Sequence, residues 1–115
     1  PDIKKMLDKL KSTDAKVVII SDGKNGVYAF DGKKHYRCPE FPAKVVSTLG
    51  AGDALSSTFA AALEHTNWDI EKCLMMASVN AASVVSNFGA QEGFLTFEEI
   101  EERLKHAPAF RVETV

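Results

Sequence analysis

The run Ser47-Thr48-Leu49-Gly50-Ala51-Gly52-Asp53-Ala54 holds hydroxyls, two glycines and one carboxylate at a spacing that suits anion chemistry. Glycines flank Ala51, so the backbone can take conformations closed to other residues and approach a ligand closely. The following residues, Ala54-Leu55-Ser56-Ser57-Thr58-Phe59-Ala60-Ala61-Ala62-Leu63, favour a helix with small side chains. Free backbone N–H groups and the positive end of a helix dipole then coincide at the glycine turn. Asp53, in the first helical turn, is placed to take a proton from a group beside a bound phosphate. A plainer role stays open: a carboxylate there also complements the helix dipole, worth about 0.3–1 kcal/mol.

Other phosphate motifs fit less well. A dinucleotide fingerprint starting at Gly50 would need glycine at position 55, where Leu55 stands. No Gly-x-x-x-x-Gly-Lys-Ser/Thr is present, which excludes the usual P-loop. A second turn, Ser21-Asp22-Gly23-Lys24-Asn25-Gly26, follows the β-branched run Val17 to Ile20. It can bring backbone up to a phosphate or ribose, or simply connect two strands. His35, His65 and His106 are scattered and lack metal-ligand spacing.

Thr48, Gly50, Ala51, Gly52 and Asp53 resemble the Asp/Asn-Thr-x-Gly-Ala-Gly-Asp signature of the ribokinase-like (PfkB) carbohydrate kinases. Ser21, Gly23 and Gly26 resemble that family's Thr-x-Gly-x-x-Gly turn, and Gly89-Ala90 its Gly-Ala turn near the nucleotide. The three motifs run in the family's order over roughly residues 15 to 105. The resemblance implies the C-terminal, nucleotide-side part of a three-layer α/β/α fold, residues 1–115 forming one domain without the N-terminal sugar-binding part. It implies transfer of the ATP γ-phosphate, with Mg²⁺, to a sugar hydroxyl. A nucleoside acceptor, or a non-catalytic nucleotide-binding module, are the alternatives. Asp53 would be the catalytic base, and Gly50, Ala51 and Gly52 the anion hole. Ser21, Gly23, Gly26, Thr48, Ser78, Asn80, Gly89 and Ala90 would face the nucleotide, with Asn80 equally suited to a packed helix position. Many members bind a monovalent cation with an acidic residue at the motif's start. Ser47 lacks that carboxylate, and Gly93 falls where some members have a side-chain ligand, so a monovalent cation stays possible only through backbone carbonyls and cation dependence is in doubt.

The elements that must position these residues can be read from patterning. Ile3, Met6, Leu7 and Leu10 recur at helical spacing. Val17 to Ile20 reads as a central strand buried on both faces. Val27 to Phe30 and Lys34 to Arg37 read as a hairpin across Asp31-Gly32. Pro39 and Pro42 make a bend, and Lys44-Val45-Val46 reads as a short strand into the glycine turn. Helices follow from Asp53 to about His65 and from Ile70 to about Asn87, the latter capped by Asn67 or Asp69. Met75, Met76 and Phe59 are core candidates. Thr96 with Glu99 fits a capping box for a last helix, whose Glu98 to Glu102 face is solvated. From Pro108 the tail is extended.

Composition sets outer bounds. At 115 residues and 45% apolar content the chain can bury one core. A net charge of −2 leaves no basic footprint for nucleic acid. No stretch is long enough to span a membrane and the start lacks a signal-peptide pattern. Cys38 and Cys73 read as reduced thiols, which with the rest suggests a cytoplasmic protein. A central strand without its neighbours leaves apolar surface open, so the chain is expected to pair with itself or with the absent N-terminal part.

Overall fold

Alternation along two short strands builds one wall of the core. In the computed structural model, which describes residues 3–11, 16–87 and 93–115, β1 (Val18–Ser21), β2 (Val27–Phe30) and β3 (His35–Cys38) form an antiparallel meander. Val27, Ala29, Tyr36 and Cys38 are buried, whereas Tyr28, Phe30, His35 and Arg37 between them are half-buried. That is the period of two expected of a sheet with one covered face. The two-residue strand β4 (Glu113–Thr114) adds to β3, giving the order β1-β2-β3-β4.

The hairpin forms where Asp31-Gly32 predicts it. Gly32 has φ +96°, a left-handed conformation that favours glycine. Asp31 Oδ1 accepts the N–H groups of Lys33 and Lys34 at 2.9 and 2.8 Å. Tyr36 donates its hydroxyl to Asp31 Oδ2 at 2.9 Å, pinning the turn to the strand.

Helix α1 (Ile3–Lys11) lies beside β1 and β2 and buries Leu7. Helices α2 (Ala51–His65) and α3 (Ile70–Val85) pack along each other, and α3 also meets β3. Phe59, Ala62, Leu74, Met76, Ala77 and Val79 fill the space between them. Each large apolar side chain buried here contributes about 1.5–3 kcal/mol. Asp69 caps α3 by accepting the Lys72 N–H. Helix α4 (Phe97–Lys105) starts with the Thr96–Glu99 capping box and buries Ile100 against this core.

Three expectations need correction. Val17 to Ile20 is half-buried, not enclosed, and β1 pairs antiparallel with β2 alone among the described residues. It is a sheet edge. Lys44-Val45-Val46 is not a strand: Val46 and Ser47 instead donate their N–H groups to the Val85 carbonyl at 2.7 and 3.0 Å. The exposed last turn of α3 offers that acceptor, and it takes the place of a ladder partner. Third, Asn67 does not cap α3; Asn67 and Trp68 both have positive φ, at 55° and 65°, and close α2 through the Trp68 N–H to Leu63 carbonyl bond of 2.7 Å.

Candidate active site

Gly50 makes the turn into α2 possible. It precedes the helix in a left-handed conformation, φ +83°, where a side chain would strain the backbone. Gly52 does not share that duty. It is helical, and a Cβ built on it meets nothing within 4 Å. Its lack of a side chain leaves open space at the helix start. Ser47 shapes the approach by accepting the Leu49 N–H on its hydroxyl at 3.2 Å.

In the first turn, the Ala51 N–H bonds the Thr48 carbonyl at 3.3 Å and the Ala54 N–H bonds Gly50 at 2.9 Å. The N–H groups of Gly52 and Asp53 belong to the set that a helix start leaves without a carbonyl of its own. They point along the axis at the positive end of α2. Asp53 is exposed in this turn.

A cleft of about 450 Å³ opens beside the turn. Thr48, Ala51 and Gly52 form its α2 side, and Ser21, Gly23 and Gly26 its opposite side. Ser78, Ala81, Ala82 and Val85 of α3 make the floor. Residues more than fifty apart in sequence thus share one space. Gly23, at φ +52° with open space around its Cα, lets backbone reach a ligand there. Gly26 serves packing as well: at φ +93° its Cα lies against the Cys38 carbonyl, where a Cβ would collide.

Ser78 and Asn80 part ways. Ser78 faces the cleft and its hydroxyl lies 3.4 Å from Cys38 Sγ. Burial pushes the Cys38 thiol up to about 11, against smaller downward pulls from the Ser78 hydroxyl and the Arg37 charge. Asn80 is 2% exposed and lies outside the cleft. Its amide donates to Thr58 Oγ1 at 2.8 Å and its carbonyl oxygen accepts the Leu95 N–H at 2.9 Å. It is a packed helix residue that ties α3 to α2 and to the lead-in of α4. Gly89 and Ala90 lie outside the described residues.

Sequence reasoning missed one wall. Pro39, Phe41, Pro42, Ala43 and Val45 line the cleft from the segment after β3. Phe41 is held edge-on to Phe110 of the tail, ring centroids 4.9 Å apart. Two prolines bracketing an aromatic ring were the available signal, but the long-range partner Phe110 fixes where the ring goes.

No group of three or more His, Cys, Asp or Glu among the described residues is arranged to hold a metal ion. Gly93 packs so tightly that a Cβ on it would lie 2.5 Å from Val84 Cα, so no side-chain ligand can stand there.

Comparison with known proteins gives consistent matches. Residues 1–96 match the pfkB family carbohydrate kinase. A ribokinase of Bacillus subtilis is 42% identical over 87 residues, covering 76% of this chain and 29% of the relative. A 5-dehydro-2-deoxygluconokinase of Clostridium botulinum is 35% identical over 91 residues, covering 78% of this chain and 26% of its own length. Among solved structures, Thermotoga maritima ribokinase superposes with a TM-score of 0.79 at 30% identity, over 91% of this chain and 35% of that one. Arabidopsis thaliana ribokinase, complexed with ribose and ATP, gives 0.78 at 28%, over 90% and 33%. A Burkholderia thailandensis nucleoside kinase in complex with inosine gives 0.78 at 26%, over 90% and 35%. The chain spans about three-tenths of the length of the curated relatives it matches.

Proposed function

Because the chain belongs to the pfkB family of carbohydrate kinases, we propose that it is the nucleotide-side, C-terminal portion of an ATP-dependent kinase that phosphorylates a sugar hydroxyl. The observation that carries this reading is the shared cleft. The start of α2, the Ser21–Gly26 turn and Ser78 on α3 converge on one space large enough for a nucleoside, with unpaired helix N–H groups at one end. ATP, when bound with Mg²⁺, supplies the γ-phosphoryl group.

The residues of this chain then have distinct tasks. The Gly52 and Asp53 N–H groups hold phosphoryl oxygens, and the dipole of α2 favours the charge that builds on them. Asp53 accepts the proton of the attacking hydroxyl, which needs an exposed, unpaired carboxylate beside the anion site. Gly23 brings backbone up to the ligand from the opposite side. Ser78 and the apolar residues of α3 meet the nucleoside.

The acceptor would be met by the portion of a longer protein that this chain does not span. Relatives named for ribose, a gluconate derivative and nucleosides make sugar the first choice and nucleoside the second. Reliance on ATP and reduced cysteines fits a cytoplasmic setting. The test is a phosphotransferase assay of the full-length protein with ATP and Mg²⁺ against sugar and nucleoside panels. Turnover of a sugar supports the reading; turnover of nucleosides alone reassigns the acceptor. ATP binding without turnover of any acceptor contradicts the kinase and leaves a binding module.

A further inference from the structure

Glu40 is the one charged side chain among the described residues that line the cleft. No lysine or arginine accompanies it there. It is exposed, and its carboxylate has no hydrogen bond or ion pair with any described residue. It follows Pro39, whose Cα lies close to Gly26, so it stands beside the Ser21–Gly26 turn. The resemblance in sequence assigns it nothing.

An ionised carboxylate accepts hydrogen bonds and repels anions. In a cleft meant for a nucleoside triphosphate, it therefore orients the ligand. The phosphates go to the start of α2, where the N–H groups are free. Glu40 meets a part of the ligand that is uncharged and carries donors. A nucleotide has two such parts, the ribose hydroxyls and the amino groups of the base. The apolar wall of Phe41, Pro42, Ala81 and Val85 suits the flat face of a base. The exposed position of Glu40 at the rim suits the edge of the ribose that stays near solvent. Two adjacent hydroxyls also match the two oxygens of one carboxylate.

We propose that Glu40 is a specificity-determining residue that accepts hydrogen bonds from the 2′- and 3′-hydroxyls of the donor nucleotide, so that the cleft selects ribonucleotides. This rests on the nucleotide reading of the cleft.

The test is calorimetric titration of the full-length protein with ATP and with 2′,3′-dideoxyATP, unaltered and as Glu40→Ala and Glu40→Gln. The unaltered protein is expected to bind ATP roughly tenfold more tightly than the dideoxy analogue, the lower end of what a hydrogen bond to a charged group contributes. Glu40→Ala should bind both nucleotides alike, at the affinity the unaltered protein shows for the analogue. Glu40→Gln should keep part of the preference, because an amide oxygen still accepts. Equal binding of both nucleotides by the unaltered protein overturns the role of Glu40 and leaves the proposed function standing. A preference that survives in Glu40→Ala overturns it too. Failure to bind either nucleotide overturns the proposed function, and this inference with it.

Discussion

Asn80 donates its side-chain amide to Thr58 Oγ1 at 2.8 Å, joining α3 to α2 inside the core. The same side chain accepts the Leu95 N–H at 2.9 Å. Removing it leaves a buried Thr58 hydroxyl and a half-buried Leu95 N–H short of a partner. Asn80→Ala should cost about 2–4 kcal/mol in chemical denaturation, from two lost bonds and a cavity. Nucleotide affinity of the folded variant should stay within about twofold, since Asn80 lies outside the cleft. Loss of affinity without loss of stability would return Asn80 to the binding site.

Two glycines make opposite predictions. A Cβ on Gly93 would lie 2.5 Å from Val84 Cα and 2.8 Å from the Ser83 carbonyl oxygen. Gly93→Ala should therefore destabilise by about 1–3 kcal/mol. Gly52 has open space, and valine is the better helix former, so Gly52→Val should leave stability unchanged or slightly raised. Its branched side chain should nonetheless block the anion site and weaken ATP binding by roughly tenfold or more, one charged hydrogen bond's worth. Unchanged ATP binding by Gly52→Val would move the phosphates away from α2.

Stability should fall on the alkaline side. Burial, then the hydrogen bond to Asp31 and its charge, push the Tyr36 hydroxyl up to about 12. Burial likewise holds Cys38 at about 11. Both groups keep their protons in the folded state at pH values where the unfolded chain has released them. Their contribution is complete below about pH 9, the ordinary thiol value, and is lost as pH rises from there to about 12. Denaturation midpoints measured from pH 8 to 11 should decline. Cys38→Ala together with Tyr36→Phe should flatten that decline, and an unaltered slope in the double variant would show that other groups cause it.

What the sequence could tell depended on range. The Asp31-Gly32 hairpin and the Thr96–Glu99 box each act within four residues and were legible, while Asp69 was one of two candidate caps. The anion turn was legible as a turn, but its two glycines look alike in sequence while only Gly50 needs a left-handed backbone. Lys44-Val45-Val46 has strand residues, yet its fate is set by the Val85 carbonyl almost forty positions on. Ser78 and Asn80 are two apart on one helix and so on nearly opposite faces, and only tertiary packing decides which of them meets the cleft. The wall from Pro39 to Val45 depends on the ring of Phe110.

The open edge of β1 has a consequence for association. Val45, Val46 and Leu49 are 62%, 42% and 73% exposed beside the cleft, and β1 has a partner on one side only among the described residues. Such an edge and such side chains favour pairing. The purified 115-residue chain should associate in sedimentation or light scattering as its concentration rises. A persistent monomer would show that it satisfies its own edge.

Everything proposed for catalysis turns on Asp53 acting as the base beside an anion site at the start of α2. Steady-state kinetics of Asp53→Asn in the full-length protein decides that role, because the amide keeps the shape and loses the proton acceptor. Turnover should fall by about 10²–10⁴-fold, while KM for ATP stays within a few fold, since the nucleotide is held mainly by backbone groups. An Asn variant that turns over at near the original rate would contradict the account and leave Asp53 as a carboxylate that only complements its helix.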